Sequence, residues 1–268
     1  MKRPVKIILF TFFAVVFLMC ALKLVSVMQE YREGVNVYEE LNLNYVSTPD
    51  ISPEMGVPAA DSPDAEEAPA PSETPAVIYA PIQVDFDSLL SINPDVVGWL
   101  YCEDTEINLP VAQAEDNAYY LNRLINGTIN SSGTLFLDYR VSSDFSGKNS
   151  IIYGHNMRNK SMFGNLDAYK EQSYFDEHPV MYLLTPTQNY MVELFSGFET
   201  DVNSSAFTFE FEELDSYARH LEDIKAMSLF ESDVEVTPED RILTLSTCSD
   251  NYSYMLRFVL IGRLVPIG

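Results

Sequence analysis

The chain has 268 residues and a formal net charge of −24, with 16 Lys and Arg against 40 Asp and Glu. This acidic balance argues against nucleic acid as a partner, because phosphate binding needs a basic surface. Apolar residues make up 47% of the chain, so it can build a hydrophobic core, and wholesale disorder is excluded. Three scattered cysteines are too few for a disulfide framework or a cysteine-rich zinc site. The composition predicts a folded acidic protein, for which we expect no cofactor and no metal.

The first 28 residues are a candidate membrane anchor. A basic segment, residues 1–6, precedes an almost wholly apolar run over residues 7–28 that only Lys23 interrupts. About 20 apolar residues span a bilayer as a helix, and the basic end favours the inside. A cleaved signal peptide is the alternative, but the run exceeds the usual ~7–15 residues and no Ala-x-Ala-type site follows it. Cys20 follows Met19 and lacks the small residue expected before a lipidated cysteine. We predict an uncleaved single-pass helix with the rest of the chain outside the cell.

Residues 29–81 are predicted to connect this anchor to the folded domain. Residues 29–43 suit a helix that continues from the membrane. Residues 45–81 contain eight of the fifteen prolines and seven acidic residues, with no basic residue. Such a stretch cannot bury enough apolar surface to offset the entropy of ordering. We therefore expect an extracellular stalk and an extended tether, followed by a folded domain over residues 82–268.

The folded domain is predicted to consist mainly of short strands. Eight runs of β-rich residues are bounded by turn residues: Val96–Cys102, Ile107–Ala112, Gly133–Leu137, Asn149–Tyr153, Val180–Leu184, Tyr190–Phe198, Arg241–Thr247 and Leu256–Val265. Helical spacing is clear over Glu213–Phe230, with shorter candidates at Asp85–Ile92, Asn117–Leu124 and Met162–Tyr169. About eight strands with peripheral helices favour a closed β-barrel or a sandwich.

Two cysteines, Cys102 and Cys248, lie outside the apolar segment. They could form a disulfide, fill the core, or include a nucleophile. Cys248 directly follows the seventh strand-like run, and a strand end is a rigid support on which catalytic groups are commonly presented. His155 also lies just past a strand-like run, whereas His178 and His220 suit surface or boundary positions.

A third candidate, Arg257, lies nine residues after Cys248 in the last strand-like run, so a hairpin can return it towards the cysteine. The segment Thr244-Leu-Ser-Thr-Cys248, with Tyr153-Gly-His155-Asn156 upstream and Arg257 downstream, resembles the sortases, and among them class B. The resemblance covers residues 85–268 and includes Asn93–Leu100, Leu109–Gln113, Asp116–Leu121 and Met162–Tyr169.

The resemblance implies an eight-stranded sortase-type β-barrel with peripheral helices. It also implies a cysteine transpeptidase that cleaves a C-terminal sorting motif after Thr, forms a thioacyl enzyme and passes the acyl group to an amine. The implied partners are surface proteins that carry the motif and a peptidoglycan amine of a Gram-positive-type envelope. The enzyme would lie in the cell membrane, with its catalytic domain outside the cell.

Site residues follow from the same resemblance. It assigns Cys248 as nucleophile, His155 as acid and base, and Arg257 as the residue that orients substrate and stabilises the oxyanion. Substrate contacts are expected at Asn117, Leu121, Tyr153 and Ser246, and Asp250 is a candidate orienting residue.

Three alternatives remain open at this point. One is a pilin-polymerising sortase that uses a lysine as the amine; its frequent Asp-Pro-aromatic lid motif is absent, since Asn93-Pro94-Asp95 is a different arrangement. Another is an envelope cysteine hydrolase, with water in place of the amine. The third is an anchored adhesion or scaffold module with an inert Cys248.

Overall fold

The computed structural model describes residues 3–49, 78–248 and 256–268, with the backbone alone at residues 3–5, 8 and 248. The strands are β1 (Val46–Ser47), β2 (Gln83–Val84), β3 (Val96–Tyr101), β4 (Asn108–Ala112), β5 (Leu135–Leu137), β6 (Asn149–Gly154), β7 (Val180–Leu184), β8 (Asn189–Asp201), β9 (Ile242–Cys248) and β10 (Leu256–Ile267). The α-helices are α1 (Arg3–Tyr45), α2 (Phe86–Ile92), α3 (Gln172–Glu177) and α4 (Leu214–Ala226). Short 3₁₀ helices cover Tyr119–Asn122, Leu166–Lys170 and Ser205–Phe207.

Strands β3 to β10 form a closed barrel in the order β10-β8-β7-β3-β4-β5-β6-β9. The pairs β4–β5 and β6–β9 are parallel, and the other described pairs are antiparallel. The predicted eight-stranded barrel is confirmed, and the alternative prediction of a sandwich is wrong. Closure leaves no barrel edge that a second chain could extend.

The barrel has a hydrophobic interior and one covered outer face. Trp99, Leu245 and Leu260 belong to the main core and are fully buried. On the outside, Tyr217 and Ile224 of α4 pack in a second apolar cluster with residues of β8, β9 and β10. Burial on both faces makes the central part of β10 a continuous apolar run rather than an alternating one.

The predicted strands coincide with the barrel strands to within a few residues. The two weaker helical predictions appear as the 3₁₀ helices Tyr119–Asn122 and Leu166–Lys170, which are shorter than predicted. Helix α3 has no counterpart among the predicted elements, since its six residues bury only Phe175 and show no helical apolar period.

Helix α1 contacts the barrel domain through its last turns. The helix is continuous from residue 3 to residue 45, and its last part lies against the domain, where Tyr38 and Leu41 are buried. Strand β1 then pairs with β2, with Val46 opposite Val84. The described ends of the proline-rich segment therefore lie side by side, and the helix contacts the domain before that segment begins. Residues 50–77, which contain most of the predicted tether, lie outside the described residues.

Candidate active site

Barrel topology brings the three predicted catalytic residues to one rim. Cys248 is the last residue of β9, and its antiparallel partner on β10 is Arg257. On the other side, β9 runs parallel to β6, and the last pair is Gly154 with Thr247. His155 directly follows Gly154, and Cys248 directly follows Thr247. The cysteine backbone thus lies between the strand that carries the histidine and the strand that carries the arginine.

A cleft of about 260 Å³ opens at this rim. Its described lining combines all four predicted substrate contacts with the predicted base and arginine: Asn117, Leu121, Phe136, Tyr153, Gly154, His155, Ser246, Thr247 and Arg257. Asp250, the remaining candidate, lies outside the described residues. The structure therefore places six of the predicted site residues around one cleft, and their roles remain predictions.

The His155 ring is held by a main-chain contact. Its Nε2 lies 2.6 Å from the carbonyl oxygen of Leu121. Because a carbonyl oxygen only accepts hydrogen bonds, Nε2 is the donor in this contact. Nδ1 is then the ring nitrogen left to accept or give a proton. Nothing in the sequence pointed to this contact, because it joins the residue after a barrel strand to a 3₁₀ helix 34 residues earlier.

The Leu121 carbonyl is itself positioned by the segment that precedes β5. Gly133 has φ +61°, and a Cβ there would lie 2.6 Å from the Tyr120 oxygen and 2.7 Å from the Leu121 oxygen. The Gly133 carbonyl accepts a hydrogen bond of 2.6 Å from the Tyr38 hydroxyl of α1. Sequence reasoning missed Tyr38 and Gly133. The available signal was the helical spacing of Tyr31, Tyr38 and Tyr45, which predicts an apolar stripe on α1.

A buried carboxylate supports one wall of the cleft. Asp138, whose side chain is fully buried, accepts hydrogen bonds from Arg140 Nε at 2.9 Å and Nη2 at 2.7 Å. The Tyr153 hydroxyl donates to the same carboxylate at 3.1 Å. Burial by itself would raise the pKa of Asp138, but the hydrogen bonds and charge of Arg140 hold that pKa below its usual value. This pair was also missed; its signal was a carboxylate directly after the strand-like run that ends at Leu137.

A second cavity of about 350 Å³ adjoins the cleft, since Tyr153 and Arg257 line both. Its other described lining residues are Arg140, Val202, Asn203, Ser204, Phe207 and Thr208. Tyr153 and Arg257 therefore form a wall that is common to both cavities.

Two residues that line the cleft, Ser246 and Thr247, have buried hydroxyl groups. Ser246 and Thr247 are each 1% exposed, and neither side-chain oxygen has a hydrogen-bond partner among the described residues. Buried polar groups normally have a partner. Because consecutive strand side chains point to opposite faces, these two hydroxyls lie on different faces of β9.

The remaining cysteine and histidines do not join this site. Cys102 is a free, buried thiol, so the disulfide alternative for this residue is wrong. Burial raises the pKa of the Cys102 thiol, which makes it a poor nucleophile. His178 directly follows α3, and His220 is 7% exposed on α4, more deeply buried than the predicted boundary position.

Comparisons with known proteins agree with this geometry. A family model for the sortase domain matches residues 100–265. The chain is 38% identical to sortase B of Listeria monocytogenes over 185 residues, which cover 69% of this chain and 75% of that protein. The structure of the Staphylococcus aureus sortase B–substrate complex is 34% identical, with a TM-score of 0.65, and the match covers 68% of this chain and 85% of that one. A sortase B structure complexed with triglycine has the same identity and TM-score, and the match covers 68% and 86%.

The chain belongs to the sortase family of cysteine transpeptidases. Within that family, its similarity is to the class B enzymes.

Proposed function

We propose that this protein is a membrane-anchored sortase that cleaves the C-terminal sorting motif of surface proteins after a Thr and transfers them to an amine of the cell wall. The observation that carries this proposal is the cleft at the β6–β9–β10 rim. There Cys248 ends β9, with Arg257 opposite it and His155 following the neighbouring strand.

In the first half-reaction, the Cys248 thiolate attacks the carbonyl carbon of the substrate Thr. The electron pair of the carbonyl moves to oxygen, and the Arg257 guanidinium stabilises that oxyanion. Collapse of the tetrahedral intermediate breaks the peptide bond, and the departing amine takes a proton from Nδ1 of His155. The product is a thioester between Cys248 and the Thr carbonyl.

In the second half-reaction, an amine attacks the thioester. Nδ1 of His155 removes a proton from this amine, and the thiolate leaves as the new amide forms. The contact between Nε2 and the Leu121 carbonyl keeps the ring in one orientation during both proton transfers. Such fixed orientation is what allows one imidazole to act first as acid and then as base.

The relatives support the two substrate classes. One solved sortase B holds its substrate, and another is complexed with triglycine, a peptide with a free amine. We infer that this chain likewise takes a peptide motif in the cleft, with Asn117, Leu121, Tyr153 and Ser246 in contact with it, and a peptide amine as acceptor.

Membrane anchoring rests on α1. By length and composition, this helix is a candidate membrane span, and its apolar part is not buried against the rest of the protein. The basic residues before the apolar run favour an N-terminus inside and a barrel outside by the positive-inside rule, which supports this part of the proposal.

The test uses the full-length protein in detergent with a library of fluorogenic sorting-type pentapeptides, followed by intact-mass spectrometry. We expect cleavage after Thr, an acyl adduct on Cys248, and a new amide product when triglycine is added. Cys248→Ala should abolish both adduct and cleavage, whereas Cys102→Ala, the matched control, should retain them.

Each other outcome points to an alternative. Cleavage without amide formation for any amine would indicate a hydrolase, and amide formation only with a lysine side chain would indicate a pilin polymerase. A folded protein with a free Cys248 thiol and no adduct with any peptide would overturn the catalytic proposal.

A further inference from the structure

The membrane-side end of the docked part of α1 is fixed to the barrel domain at Glu30. The side-chain amide of Asn130 donates to the Glu30 carbonyl at 2.8 Å, and the backbone amide of Ser131 donates to the Glu30 carboxylate at 2.8 Å. These are contacts across 100 residues of sequence. They fix the position of residues 130 and 131 along the axis of α1, next to Glu30.

Two further contacts give the direction in which the domain segment runs. A Cβ at Gly34 would lie 2.7 Å from the Ser132 hydroxyl, and the Tyr38 hydroxyl lies 2.9 Å from that of Thr134. Residues 30, 34 and 38 are successive turns of one helix face, separated by about 6 Å each. Residues 130–134 therefore run along α1 with residue 130 nearest the apolar end, and Ile129 continues in that direction.

The height of this end above the membrane follows from helix geometry. At ~1.5 Å per residue, residues 7–28 span about 33 Å, close to the ~30 Å thickness of the hydrocarbon core. Glu30 then lies about 3 Å beyond the apolar run, whereas the headgroup layer is about 5–7 Å thick. Ile129 is about 3 Å nearer the membrane than residue 130, at the boundary between headgroups and acyl chains.

The side chains at this level suit that boundary. Ile129 is 70% exposed, and it lies at the membrane-facing end of this segment. Its bridge partner is Arg123, and paired residues share a face. The Arg123 guanidinium lies 4.6 Å from the ring centroid of Tyr119, itself 42% exposed. Among the described residues, no carboxylate lies within ion-pair distance of Arg123.

We propose that the 123–129 turn is a membrane-contact surface, with Ile129 inserted at the acyl boundary and Arg123 on lipid phosphate. An aliphatic side chain, a cation and a tyrosine on one face are the composition of membrane interfaces. This inference rests on the proposed anchoring by α1. It adds a second contact, which stops the domain from rotating or tilting freely about the helix.

The contact has a consequence for the reaction. Leu121, which holds His155, lies two residues before Arg123, and Gly133 beside it is bonded to Tyr38 of α1. Tyr38 lies ten residues past Met28, so the active site is held about 15 Å above the hydrocarbon core. An amine on a lipid-linked headgroup of that reach can enter the cleft without leaving the membrane.

The test is depth-dependent tryptophan quenching of the full-length protein in phosphatidylglycerol/phosphatidylcholine vesicles. One set of vesicles carries bromine near the head of the acyl chains and another near their ends. The single native tryptophan, Trp99, is fully buried and gives a constant background. The three variants are Ile129→Trp, Phe17→Trp within the span, and Leu229→Trp as the matched control. Leu229 is also exposed, but its backbone amide donates to the carbonyl of Gly197 on β8. Helix α1 contacts a different strand of the barrel, β4.

We expect the Ile129→Trp emission to shift to the blue and to be quenched most by the shallow bromine. Phe17→Trp should be quenched most by the deep bromine, and Leu229→Trp should be unaffected by either. If Phe17→Trp is quenched while Ile129→Trp behaves like Leu229→Trp, the membrane contact is overturned and the anchor stands. If Phe17→Trp is not quenched, the anchor itself is overturned, and the contact with it.

Discussion

The Nε2 atom of His155 lies 2.6 Å from the carbonyl oxygen of Leu121, a residue that also lines the candidate active-site cleft. One residue thus provides both a side chain for the substrate wall and a main-chain oxygen for the proposed acid/base. Because the Leu121 main chain is supported through Gly133 by Tyr38, the ring orientation depends on the docked part of α1.

This chain of contacts predicts that Tyr38→Phe impairs catalysis from a distance. The change removes the hydroxyl that bonds the Gly133 carbonyl and leaves that buried acceptor without this donor. We expect a loss of about 1 kcal/mol in the free energy of unfolding and a lower kcat, because the main chain that holds the His155 ring loses this support. Tyr45→Phe is the matched control, since that ring packs on the same core from the same helix. Equal effects of both variants on kcat would contradict the prediction.

Arg257→Lys tests whether the guanidinium fork, rather than its charge, is needed. A lysine keeps the positive charge but cannot present two fixed donors to an oxyanion. Loss of such a donor commonly costs about 10²–10³ in kcat, and we expect a reduction of that order. Arg263 lies on the same strand and pairs with Glu193. Arg263→Lys is the matched control and should keep near-normal kinetics. An Arg257→Lys enzyme with normal kcat/KM would show that the guanidinium fork is not needed and that a positive charge at this position is sufficient.

Asp138→Asn should destabilise the cleft wall. The substitution removes the charge that pairs with Arg140 and weakens the bond to Tyr153. Hydrogen bonds to charged groups contribute about 1.5–3 kcal/mol, so we expect a loss of that order in urea denaturation. The KM for the peptide should rise more than kcat falls, because Tyr153 lines the cleft. Glu103→Gln, on an exposed carboxylate, should change stability by no more than about 0.5 kcal/mol.

His220 predicts a pH dependence of stability that is independent of catalysis. Burial lowers the pKa of His220 below its usual value of 6.5, although Asp223 partly opposes this. The unfolded chain therefore binds the proton first, and stability is fully present above pH 6.5 and falls as the pH drops towards the folded pKa. The slope from this group is at most about 1.4 kcal/mol per pH unit. In His220→Phe, the urea midpoint should change less between pH 7.5 and pH 5.5 than it does in the wild type. His178→Gln should leave this pH dependence unchanged. If the pH dependence of the urea midpoint is the same in His220→Phe as in the wild type, that dependence arises from other titratable groups.

Cys102 should be chemically silent in the native protein. It is 1% exposed, and burial raises the pKa of its thiol, so little thiolate is available to an electrophile. We expect iodoacetamide to label Cys248 in the folded protein and Cys102 only after denaturation, as read by peptide mass mapping. Labelling of Cys102 at the rate of Cys248, or a linked Cys102–Cys248 peptide without reductant, would contradict this.

Much of the fold was readable because barrel strands have short, apolar, β-branched runs between turn residues. The runs that became β7, β9 and β10 needed no tertiary information, and neither did the apolar span of α1. The catalytic candidates were readable for a related reason: Cys248 ends a strand, His155 directly follows one, and Arg257 lies near the start of one. The resemblance to sortases then gave these residues their proposed roles.

Packing determined which of these ends meet. Parallel pairing of β6 with β9, almost 100 residues apart, is a non-local contact that no sequence period encodes, yet it alone brings His155 to the cysteine strand. The Leu121 carbonyl and the Gly133 turn act through main-chain atoms, which carry no residue-type signal. Whether the domain hangs on a tether or docks on α1 likewise depended on burial of Tyr38 and Leu41 against a distant segment. Local sequence patterns specified the elements and the chemical groups, and the closed barrel set the distances between them, because apolar burial is non-directional and a pattern of apolar residues does not say which surfaces will meet.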